Sequence, residues 1–223
     1  FEGNPLVDVI KEEKNKMPSR EEFLRQTGIP DDKPIVALLA GSRKSEIKYN
    51  FPFMVTLAEK FPEYRFVVGG VKWLDKEMYG NIIRDNDVTY ICDRTYQLLN
   101  FAEAAVVTSG TATLETALFN VPEFVCYTGD RPSMYIARMF IKTRFISLVN
   151  LIMDREVVRE LIQWDMTIDN AVEELRAILP GGSKREEQLS GYAALREVVG
   201  GDGASGRFAA RMVAELKDMK EKQ

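Results

Sequence analysis

The sequence predicts an α/β protein built on a doubly wound parallel sheet, and three observations carry that reading. Short continuous apolar runs, such as PIVALLA at Pro34–Ala40, fit strands covered on both faces. These runs alternate with segments of helical period, which implies right-handed crossovers between parallel strands. Turns that carry glycine, serine or threonine stand where several strands hand over to helices.

Taken in order, PIVALLA is the first strand. GSRKSEIKYN follows it, with Gly41 and Ser42 as turn and cap candidates and a helical pattern reaching Phe61. RFVVGG (Arg65–Gly70) is the second strand, VTYICD (Val88–Asp93) the third, and TYQLLNFAEA reads as helix. Ala104–Thr108 is the fourth strand, followed by a helix that stops near Asn120, and EFVCY (Glu123–Tyr127) is the fifth. SMYIARMFIK then reads as helix and RFISL as a last strand. From Arg155 onward the pattern is helical throughout, with linkers at Pro180–Ser183 and Gly200–Gly206. The expected organisation is one nucleotide-binding domain over residues 1–223 with trailing helices from about 155.

Composition narrows the chemistry. The chain has 223 residues, 30 basic and 34 acidic, for a net charge of −4. That balance argues against a dedicated nucleic-acid binder, which needs a strongly basic face. There is no histidine, which removes histidine bases, triads and metal sites together. Cys92 and Cys126 lack metal-like spacing, sit in apolar runs and read as buried free thiols of a reducing compartment. No apolar run is long enough to span a bilayer, so the expected location is the cytoplasm.

In an open parallel sheet, ligands bind beyond the carboxyl ends of the strands, and the informative loops lie there. VVTSGTATLETALFNVP places Ser109, Gly110 and Thr111 at a strand-to-helix turn. Free amides and partial positive charge at a helix start suit a phosphate, although an ordinary N-cap uses the same residue types. Glu115 falls one turn further on, on the same face, where a carboxylate can hold sugar hydroxyls; a solvated glutamate is the plainer alternative. In LLAGSRKSEI, Arg43 reaches the same edge and can grip a phosphate through paired hydrogen bonds. Charge-assisted bonds contribute about 1.5–3 kcal/mol each, against about 0.3–1 for a helix end, so Arg43 should be the stronger anchor. The spacing GxxxxGK[ST] is absent, which disfavours a Walker loop, and VVGGVKW after the second strand lacks GxGxxG, which leaves a dinucleotide site weakly supported. Arg131, Arg138, Lys142 and Arg144 edge an apolar helix, which suits packing on the sheet, an anionic acylated ligand or a membrane surface.

Together, GNPLVD, LLAGSRKSEI, DRTYQLLNFAEAAVVTSGTATLETALFNVP, YIARMFIKTRFISLVNLIMDREVVRELIQ and GYAALREVVG resemble the lipid-A-disaccharide synthases, in that family's order and over nearly the whole chain. The departures are small: Asn4 stands where the family often has His, Ala40 where Pro is frequent, and Val149 where Pro commonly precedes Asn150. The resemblance implies a B-type glycosyltransferase fold of which this chain is the Rossmann-like carboxyl-terminal half, the amino-terminal acceptor domain being absent. It implies transfer of diacylglucosamine from a UDP donor (UDP-diacylglucosamine) to diacylglucosamine phosphate, with release of UDP and no metal or other cofactor. By position, Ser109, Gly110 and Thr111 would meet the diphosphate, and Glu115 the ribose. Arg43, as catalytic residue, with Ser42 would neutralise charge on departing UDP, and Asn150 would donate to the phosphates. Backbone near Cys92 would pair with uracil and Gln163 would close the site. The general base is expected on the absent half, so this chain alone should bind UDP weakly without turnover. A separated half should also expose an apolar patch, with self-association as a homodimer or helix exchange as compensation, and contact with the inner membrane surface is a further expectation. Sugar-nucleotide epimerases, other UDP-sugar transferases and a non-enzymatic α/β interaction module remain as alternatives at this point.

Overall fold

The computed structural model describes residues 2–108, 110–129 and 144–221, with side chains as far as residue 215. Ser109 and the helix expected at 133–142 lie outside the described residues. Strands β1 (Ile35–Leu39), β2 (Arg65–Gly70), β3 (Val88–Cys92), β4 (Ala102–Val107), β5 (Glu123–Tyr127) and β6 (Glu160–Ile162) form one sheet in the order β3-β2-β1-β4-β5-β6. Every pairing is parallel. The doubly wound sheet is therefore present.

Alternation along β1 explains why the sheet needs helices on both faces. Val36 and Leu38 enter one core, with Ile47, Phe51 and Met54 of helix α3 (Lys44–Ala58). Ile35, Ala37 and Leu39 enter the other. That second core receives Ile10 of α1 (Pro5–Lys14), Phe23 of α2 (Arg20–Thr27), Leu98 of α5 (Thr95–Phe101) and Leu114 of α6 (Thr111–Leu118). All of β1 is buried, which is why its sequence reads as an unbroken apolar run. Helix α4 (Lys76–Ile83) covers the first core beside α3 and contributes the fully buried Tyr79.

Asn4-Pro5 forms the start of α1. Asn4 Oδ1 accepts from the Leu6 amide, and Pro5 occupies the first helical position. The larger corrections lie after β5. RFISL is not a strand: Ser147 makes one isolated bridge to Gly110 and then caps α7 (Leu148–Met153) through the Asn150 amide. Instead the last strand comes from REVVRELIQ, whose expected helix is replaced by β6 pairing with β5. Trailing helices therefore begin after the sheet is complete, with α8 (Ile168–Ile178), α9 (Arg185–Val199) and α10 (Ala204–Glu221). Valine and isoleucine suit either state at this length, and the open edge of β5 decided it. On α10, Phe208, Met212 and Val213 are each about half exposed. No helix of the described residues is long and apolar enough to cross a membrane.

At the amino-terminal end of its strand, Glu123 begins β5 with its carboxylate buried and both oxygens, like the Tyr192 hydroxyl, without a well-formed hydrogen bond. Burial pushes its carboxyl well above the usual range, and neighbouring Tyr192 draws it only part of the way back. A raised folded pKa means that the folded state holds the proton longer than the unfolded chain. This contribution to stability is full below the unfolded value and is lost as pH rises toward the folded one. Urea unfolding should therefore show declining stability above about pH 5, by up to about 1.4 kcal/mol per pH unit from this group. Glu123→Gln should flatten that part of the slope. An unchanged slope would show that Glu123 does not carry it.

Candidate functional site

The strand order reverses between β1 and β4, and their crossovers leave to opposite faces, through α3 and α6 respectively. Such a switch point leaves a crevice at the carboxyl edge. A hollow of about 540 Å³ occupies it, walled by residues that follow β1, β2, β3 and β4.

The β4 side supplies the bare helix end. Gly110 caps α6 with φ of +85°, a conformation that a side chain would strain, and no atom lies within 4 Å of where a Cβ would project. Thr113 closes the turn by donating its hydroxyl to the Gly110 carbonyl at 2.9 Å. The amides of the first helical turn have no acceptor earlier in an α-helix and carry partial positive charge. Gly110, Thr111 and Ala112 all face the hollow.

On the β1 side, Glu46 organises the loop. Its Oε2 accepts from the Ser42 and Arg43 amides at 2.9 and 3.2 Å, and its Oε1 accepts from Arg43 NH1 at 3.0 Å. Gly41 has φ of +104°, and a Cβ there would collide with this carboxylate. One carboxylate thus holds the loop amides and aims a guanidinium whose side chain is 79% exposed. Glu46 was not among the sequence-derived site residues, although its place three residues after the cap is the capping-box spacing.

Glu115 lies on the wall of the same hollow and accepts a 2.9 Å hydrogen bond from the Tyr96 hydroxyl. Burial raises its carboxyl above the usual range, and the Tyr96 bond offsets part of that. The same burial, with Glu115 beside it, pushes the Tyr96 phenol up. Tyr96 stacks on Phe119 at 5.4 Å between ring centres, so the carboxylate is held by a side chain that is itself packed. Tyr96, Thr95 and Trp73 were also missed from sequence, because nothing local places them at the crevice.

The remaining expected site residues are placed differently. Cys92 ends β3 at the same edge and is exposed, but its side chain does not wall the hollow. Gln163 follows β6 in a left-handed conformation (φ of 56°), with its Nε2 buried and unpaired, and it too stands apart from the hollow. Asn150 also stands apart from the hollow. It is fully buried, and its carboxamide is committed within the chain. Nδ2 donates to Val158 O and Glu160 Oε1, while Oδ1 accepts from the Val157 and Val158 amides. Nothing is left to donate to a phosphate. The network instead braces the start of α7: Glu160 also accepts from the Ile146 and Ser147 amides, and Ser147 bridges Gly110.

A second hollow, of about 500 Å³, lies between α1 and the ends of α6 and α9. None of the expected site residues reaches it, and its Lys14 and Arg196 donate to carbonyls that end α6. Among the described residues no cluster of three or more acidic or cysteine side chains could hold a metal ion.

Known proteins place this architecture. The family model described as Lipid-A-disaccharide synthetase matches residues 1–200. The lipid-A-disaccharide synthase of Myxococcus xanthus is 35% identical over 97% of this chain and 57% of its own length. That of Syntrophus aciditrophicus is 36% identical over the same shares. The chain thus spans little more than half the length of these relatives. Among solved structures, the S. aureus MnaA–UDP co-structure aligns with a TM-score of 0.64 at 14% identity, covering 97% of this chain and 54% of that one. The UDP-GlcNAc 2-epimerase of Neisseria meningitidis bound to UDP-GlcNAc aligns at 0.58 and 17%, covering 96% and 54%. At such identities these structures establish the fold only, whereas the family match spans residues 1–200, with the GSR loop, the TSGT turn and Asn150 inside it: the chain belongs to the lipid-A-disaccharide synthetase family.

Proposed function

We propose that this chain forms the UDP-sugar-binding half of a glycosyltransferase that makes the lipid A disaccharide precursor. The observation that carries the reading is the crevice between β1 and β4, with the Arg43 guanidinium on one wall and the open start of α6 on the other. A diphosphate fits between two sources of positive potential. The donor is UDP-diacylglucosamine and the acceptor diacylglucosamine phosphate. An acceptor hydroxyl oxygen bonds to the anomeric carbon while the bond from that carbon to the diphosphate oxygen breaks. The electron pair leaves with UDP, where Arg43 and the α6 amides stabilise the growing charge. The hydroxyl proton passes to a base outside this chain, within the length that the relatives have in addition.

In the same reading Glu115, steadied by Tyr96, accepts from the ribose hydroxyls. Calorimetric titration tests it. UDP should bind the wild-type chain, and Glu115→Ala should weaken UDP roughly 10-fold, the size of one charge-assisted hydrogen bond. Inorganic pyrophosphate, which has no ribose, should bind both proteins alike. Equal UDP affinity in the two proteins would remove Glu115 from the site.

A further inference from the structure

Trp73 is 63% exposed, unusual for the largest apolar side chain. It is nonetheless fixed, because its indole Nε1 donates to the Ser42 carbonyl at 3.0 Å. That bond ties the loop after β2 to the loop that carries Arg43 and sets the ring on the wall of the crevice. Around it the hollow is lined by Gly69, which has no side chain, and by the small Thr95.

Direction follows from the strand order. The diphosphate reading puts phosphates between β1 and β4. Glu115 turns toward Tyr96 on α5, the helix that follows β3. A nucleoside extending from the phosphates past Glu115 therefore runs toward the β2–β3 side, where Trp73 and Thr95 stand. A flat ring held rigid before binding loses little freedom when a planar base stacks on it.

We propose that Trp73 is a specificity-determining residue, a stacking face for the nucleobase of the bound nucleotide. This rests on the diphosphate reading above, and the test separates the two. The chain has two tryptophans, so Trp164→Phe leaves Trp73 as the single tryptophan, excited apart from the tyrosines. UDP should quench its emission on binding, whereas inorganic pyrophosphate should bind by calorimetry without quenching. Trp73→Ala should weaken UDP roughly 5- to 150-fold, the range seen for base–aromatic stacks, and change pyrophosphate affinity far less, because Glu46 still holds the Arg43 loop. Trp73→Phe should recover most of the loss. Because the side chain is largely exposed, both variants should melt at the wild-type temperature. Unaltered UDP affinity in Trp73→Ala, with no quenching, overturns the stacking role while the diphosphate reading stands. Failure of both UDP and pyrophosphate to bind the wild-type chain overturns the two together.

Discussion

Arg43→Ala is expected to weaken UDP binding roughly 10- to 150-fold, the equivalent of about 1.5–3 kcal/mol for one charge-assisted hydrogen bond. The loss should be this large because the loop amides are not free to take its place. Glu46 already occupies the Ser42 and Arg43 N–H groups, so the β1 loop meets a diphosphate chiefly through the guanidinium. The α6 end remains, but a helix terminus contributes only about 0.3–1 kcal/mol. Arg43→Lys should fall between, since an ammonium keeps the charge and loses the paired geometry. Thermal stability should hardly move, given how exposed the side chain is. Calorimetry with UDP and a melting curve for each variant decide it. Unchanged affinity in Arg43→Ala would favour a scaffold with no nucleotide role.

Asn150→Ala should act in the opposite sense, unfolding the chain more easily by about 3 kcal/mol or more. Truncation strands the Val157 and Val158 amides and the Val158 carbonyl, and each buried group left unpaired costs about 1–3 kcal/mol. In a chain of this size that lowers the melting temperature by about 6–12 °C. Affinity for UDP, measured well below that temperature, should fall only modestly, through looser support of Gly110 by Ser147 and Glu160. A variant that melts like wild type yet loses UDP binding would return Asn150 to the phosphates.

These two residues mark where the sequence is enough and where it is not. Arg43 belongs to a strand, a turn and a helix start that are contiguous, so its edge of the sheet follows from local pattern. The same holds for Gly110, Thr111 and Glu115, whose shared face is a matter of helical spacing. Asn150 has the same polarity but sits behind the crevice, because its partners come from a segment that reads equally well as helix.

What the amino-acid sequence alone determined is the parallel sheet of β1 to β5 and the meeting of an arginine loop with a small-residue helix start at its carboxyl edge. Period and punctuation encode these within ten or fifteen residues. Tertiary structure decided β6, the carboxylate of Glu46 over the loop amides, Tyr96 behind Glu115 and Trp73 on the wall. Each depends on which chain segment closes an open strand edge or fills the space beside a neighbour. That choice is made by burial and hydrogen-bond pairing across the assembled sheet, and no stretch of sequence contains it by itself.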